Sequence, residues 1–91
     1  MSSLDRDKIL SIAERYGARN IRIFGSVARG DDRPDSDLDL LIDLEEGQSL
    51  LDLIAIQQDL EELLGRKVDV VTEPEISPYF RDSVLKEAKP L

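Results

Sequence analysis

The chain has 91 residues, a formal net charge of −8, no cysteine and no histidine. That length fits a single domain over residues 1–91, and the acidic balance argues against a broad nucleic-acid face, whose footprint is basic. Without cysteine there is no disulfide framework, thiolate metal site or thiol nucleophile, and without histidine a general base at neutral pH is a carboxylate or lysine.

The first residues, MSSLDRDKIL, hold no apolar signal core, and no apolar run is long enough to span a bilayer, so a cytoplasmic protein is expected. Ser3 or Asp5 can cap a first helix, in which Ile9, Ile12, Ala13 and Tyr16 repeat at the spacing of one buried stripe. Gly17 suits its stop. Residues 20–24 read as a strand, with Ile21 and Ile23 on one face and Arg22 and Phe24 on the other. Residues 26–36 read as a loop holding at most one helical turn, because Asp31, Asp32, Pro34 and Asp35 are turn formers.

Residues 37–43 give a second strand. Leu38, Leu40 and Ile42 share one face, and Asp37, Asp39, Leu41 and Asp43 share the other. Ser49 and Asp52 form a capping box for a long helix reaching Leu64, whose stripe is Leu53, Ile56, Leu60, Leu63 and Leu64, with Gly65 as its stop. A third strand spans 67–72, with Val68 and Val70 on one face and Asp69 and Val71 on the other. Ser77-Pro78 opens a last helix over 78–87, expected to pack Phe80, Val84, Leu85 and Ala88 on the core and to end before Pro90. The class is α/β (α+β): a small mixed sheet with helices packed on one face, and Asp37, Asp39 and Asp69 together on the open face.

Ten residues separate Gly25-Ser26 from Asp37. Gly-Ser after a strand can turn backbone N–H groups toward phosphate. Asp37 and Asp39 point to one side of a strand about 6.5–7 Å apart, as needed to grip magnesium carried by a nucleoside triphosphate. Sites for nucleotidyl transfer commonly hold two ions, and Asp69 is the third carboxylate such a site needs. Arg19, Arg22, Arg29 and Arg33 lie around the Gly-Ser turn, where a triphosphate would need positive charge. Taken singly each feature has a plainer reading: solvated aspartates at a strand end, an edge-strand gatekeeper at Asp69, a tight turn at Gly25 and a cap at Ser26. Their order along the chain favours a phosphate site.

The segment FGSVARGDDRPDSDLDLLID, the stretch LLDLIAIQQDLEELLGRKVDVVT and the terminal VLKEAKPL resemble the minimal nucleotidyltransferases of prokaryotes, within the superfamily of DNA-polymerase-beta type. The resemblance covers nearly the whole chain. It implies the nucleotidyltransferase fold, ATP as substrate and two Mg²⁺ ions, with Asp37, Asp39 and Asp69 as metal-binding and catalytic carboxylates. It implies that Gly25 and Ser26 hold the triphosphate, assisted by Arg29. It further implies a type VII antitoxin that transfers AMP to a tyrosine of a HEPN-domain ribonuclease toxin, without direct nucleic-acid binding. The lack of a second, acceptor-binding domain in the chain suits a protein acceptor. The alternatives are an antitoxin that neutralises its partner by stoichiometric binding, and a small-molecule nucleotidyltransferase of the antibiotic-modifying kind. Base preference, acceptor residue and oligomeric state are not legible.

Overall fold

The computed structural model describes residues 6–30 and 37–91. In chain order these form helix α1 (Arg6–Arg15), strand β1 (Ala18–Phe24), the one-turn helix α2 (Gly25–Ala28), β2 (Leu38–Leu44), α3 (Leu50–Leu64), β3 (Val68–Thr72), a 3-10 turn (Glu73–Glu75), α4 (Pro78–Glu87) and β4 (Lys89–Pro90). The expected caps Ser3 and Asp5, and the loop residues Asp31, Asp32, Arg33, Pro34 and Asp35, lie outside the described residues.

The strands form one mixed sheet in the order β3-β2-β1-β4. β2 and β3 run parallel, and β1 is antiparallel to both β2 and β4. Parallel neighbours cannot be joined by a tight turn, so the chain crosses between them through α3. The α/β class read from the periodicities therefore holds. The core lies on one sheet face. Ile21, Ile23, Leu38, Leu40, Ile42, Val68 and Val70 point into it from the strands, and Ile9, Ala13, Leu53, Ile56 and Leu60 close it from α1 and α3. Ser49 caps α3 as expected: its N–H donates to Asp52 Oδ2 at 2.8 Å, and its Oγ accepts from the Leu51 N–H at 3.3 Å. Leu63 is a correction: it remains 38% exposed, off the buried stripe.

β1 carries a feature that simple alternation does not predict. Ala18 stands opposite Leu44 and Arg19 opposite Asp43, but Arg22 stands opposite Leu41. Asn20 and Ile21 together thus face the single residue Ile42, which is a β-bulge. Asn20 takes a φ of 52°, a left-handed conformation that asparagine accepts more readily than most side chains. The extra residue shifts the alternation by one. Ala18 and Ile21, three apart, are consequently both buried, whereas strict alternation would put one of them on the opposite face.

The C-terminal region also departs from expectation. α4 has no fully buried residue: Phe80 is 64% exposed, Leu85 is exposed and Val84 is only partly covered, so this helix does not pack its apolar residues into the core. Ala88 is the partly buried C-cap. Lys89 and Pro90 form a short edge strand opposite Ile23 and Arg22, where a residue with no N–H is tolerated. α4 instead lies toward the aspartate face. Arg81 borders a shallow depression with Asp43, Glu73 and Pro74, and Glu87 reaches Gly25 at the other end of the helix. Leu41, on that face, is fully buried. The face is therefore covered at Leu41, and Asp39 and Asp69 lie near the starts of β2 and β3.

Candidate active site

β1 ends at Phe24, opposite Asp39 of β2. The next residue, Gly25, has a φ of 77°, which L side chains rarely adopt. A Cβ added there would lie 2.2 Å from Asp39 Oδ2. Glycine is thus required both by the backbone turn into α2 and by the approach of the Asp39 carboxylate. Ser26 follows inside that turn and is half-buried.

Asp39 and Asp69 are register partners in the parallel β2–β3 pair, as their parity predicted, and both are half-buried on the face away from the core. Asp37 precedes β2 and is exposed. Burial, then the charges of Asp69 and Asp37, then a side-chain hydrogen bond with Asp69 and the charge of Glu87 push Asp39 up to about 6. Like charges held this close favour a shared proton or a bound cation.

The positive and donor groups are held by a residue that sequence reading missed. Gly25 N–H donates to Glu87 Oε2 at 3.0 Å, and Arg29 Nη1 donates to Glu87 Oε1. Arg29 and the Gly25 N–H hold the Glu87 carboxyl below the usual range, against a smaller upward push from its burial. No local pattern marks Glu87; it lies 62 residues from Gly25 in sequence. Arg19 and Arg22 are corrections. Arg19 pairs with Glu45 at 3.3 Å and Arg22 with Asp43 at 3.0 Å, away from the Gly25 end of β1, and Arg33 lies outside the described residues.

Among the described residues no three acidic side chains form a ready-made metal cage. The donor set nevertheless fits magnesium, a hard cation that takes oxygen ligands and is usually bound through one or two carboxylates plus substrate phosphates. Asp39 and Asp69 supply such a pair, with Asp37 exposed just before β2.

The sequence profile of the nucleotidyltransferase domain matches residues 6–91. The chain belongs to the nucleotidyltransferase family. It is 43% identical over 76 residues to the protein adenylyltransferase MntA of Thermococcus cleftensis, covering 84% of this chain and 77% of that protein. It is 44% identical over 81 residues to a Methanocaldococcus jannaschii protein provisionally named a protein adenylyltransferase, covering 89% and 87%. A solved structure provisionally described as a minimal nucleotidyltransferase superposes with a TM-score of 0.83 at 52% identity, over 94% of this chain and 88% of that one. A toxin–antitoxin crystal structure with AMP-PNP superposes with a TM-score of 0.81 at 22% identity, over 96% and 72%, and shows the shared fold. This nucleotidyltransferase has no helix, among the described residues, long and apolar enough to cross a membrane.

Proposed function

We propose that this nucleotidyltransferase is a protein adenylyltransferase acting as an antitoxin, transferring AMP from ATP to a tyrosine of a HEPN ribonuclease toxin. The observation that carries the site assignment is the pairing of Asp39 with Asp69 beside a glycine that only a missing side chain lets approach. The names of the relatives support transfer to protein, and the toxin–antitoxin structures support the kind of partner.

Asp37, Asp39 and Asp69 would hold magnesium, which supplies charge neutralisation for the triphosphate and acidity for the attacking hydroxyl. The chain's own groups do the remaining work. Gly25 and Ser26 open the turn against which the phosphates lie, and Arg29 brings a positive charge to the same place. In the transfer, the tyrosine oxygen forms a bond to the α-phosphorus, the bond from that phosphorus to the bridging oxygen of the β-phosphate breaks, and pyrophosphate leaves. The phenolic proton passes to a carboxylate, for which Asp69 stands in the third position.

The test uses ATP labelled at the α-phosphate, with the toxin as acceptor and magnesium present. Label should enter the toxin with the wild-type chain and not with the Asp37→Ala, Asp39→Ala double variant. Labelling by that variant at the wild-type rate would remove these carboxylates from the mechanism. A chain that protects against the toxin only at equimolar ratio and without ATP would be a binding antitoxin instead.

A further inference from the structure

The proposed triphosphate site already holds an anion of the chain's own. Glu87 ends α4, and its carboxylate accepts from the Gly25 N–H at 3.0 Å and from the Arg29 guanidinium. These are the two groups assigned above to the phosphates. A carboxylate and a phosphate compete for such donors because both are planar or tetrahedral arrays of negative oxygens that take charge-assisted hydrogen bonds. Gly25 touches both carboxylates: its N–H lies 3.0 Å from Glu87 Oε2, and a Cβ on it would lie 2.2 Å from Asp39 Oδ2, so Glu87 sits beside the aspartate pair. An acidic side chain beside a cluster of aspartates is electrostatically costly unless cations or donors hold it. Here Arg29 and the Gly25 amide do so.

We propose that Glu87 is a resident competitor for the triphosphate: it caps the phosphate donors in the free protein and is displaced when nucleotide binds. This inference rests on the nucleotide reading of the site. Displacement has a structural consequence, because only Ala88 separates Glu87 from β4, which pairs with β1 at Arg22 and Ile23. Release of Glu87 frees the end of α4 from the Gly25 turn. Nucleotide binding is thereby coupled to the segment from α4 to β4. The carboxylate also keeps Arg29 oriented toward the turn while the site waits for substrate.

The variants are Glu87→Gln and Glu87→Ala, with the probe ATP–Mg²⁺ titrated by calorimetry and the Gly25 amide followed by NMR. Loss of the competing charge should tighten nucleotide binding by about ten- to a hundred-fold, the value of one charge-assisted contact. A role confined to anchoring α4 would lower the melting temperature and leave affinity unchanged or weaker. In the wild-type chain the Gly25 amide should shift on nucleotide addition, and in the Glu87→Ala variant its free position should already differ. Equal or weaker affinity in both variants, with folding retained by circular dichroism, overturns the competitor role. Tight binding by the variants where the wild type binds weakly supports it most strongly. Absence of triphosphate binding by the wild type and both variants alike would sink the nucleotide reading and this inference with it, a result distinct from equal binding by all three.

Discussion

Gly25 answers two demands at once, and one substitution tests both. Its φ of 77° costs an L-residue about 1–2 kcal/mol, and a Cβ would press on Asp39 Oδ2. Gly25→Ala should therefore lower stability by about 1–2 kcal/mol in urea unfolding and displace the Asp39 carboxylate. Its nucleotide transfer should fall by far more than the stability loss explains. Transfer at the wild-type rate in that variant would show that the approach of Gly25 to Asp39 has no functional consequence. The aspartates allow a test that does not depend on activity. Asp39 is pushed up to about 6 by burial and by neighbouring like charges, so its ionised form is held at a cost in the metal-free chain. Asp39→Asn should raise the melting temperature without divalent ions and abolish the further rise that magnesium gives the wild type. Equal stabilisation of both by magnesium, read by thermal melting, would place the ion elsewhere. Asp69→Asn should cut turnover much more than ATP affinity, measured by steady-state kinetics beside direct binding; equal losses would make Asp69 a ground-state ligand. The parity of Asp39 and Asp69 was legible because a two-residue period fixes which face a strand residue takes. The arginines were not: Arg19 is close to Gly25 in sequence, but a strand advances about 3.3 Å per residue, so it ends up about 20 Å away and pairs with Glu45.

At the scale of elements, helix stripes and strand alternation carried most of the architecture. The capping box at Ser49 and the stripe Leu53, Ile56 and Leu60 were visible because both depend on fixed local spacing. Two elements were not visible for the same physical reason. The bulge at Asn20 shifts alternation by one residue, and β4 is a two-residue strand; neither leaves a periodic trace. The packing of α4 was misread because Phe80, Val84 and Leu85 have helical spacing, yet none of them is buried, and the helix is tied at its C-terminal end by Glu87 on Gly25. The bulge offers a prediction of its own. Asn20→Val should cost about 1–2 kcal/mol, since a β-branched residue resists positive φ. Asn20→Gly should be near neutral, losing only an exposed 3.1 Å hydrogen bond to Asp43. Denaturant titrations giving equal losses for the two would mean that the side chain, and not the backbone conformation, holds the bulge.

The described residues form one sheet with its core on one side and Asp39 and Asp69 on the other. The core of Ile9, Leu38, Leu40, Ile42, Ile56, Leu60 and Val68 fixes β2 and β3, and their register alone sets Asp39 opposite Asp69. Fold and function are thus linked through strand register. The proposed acceptor is a tyrosine of the toxin. The decisive measurement is intact mass of that toxin after incubation in large excess over a trace of this chain, with ATP and magnesium. The account predicts that toxin gains AMP in amounts well beyond the moles of chain present and loses RNA cleavage in step. Inhibition that stops at one-to-one, needs no ATP and leaves toxin mass unchanged would contradict it.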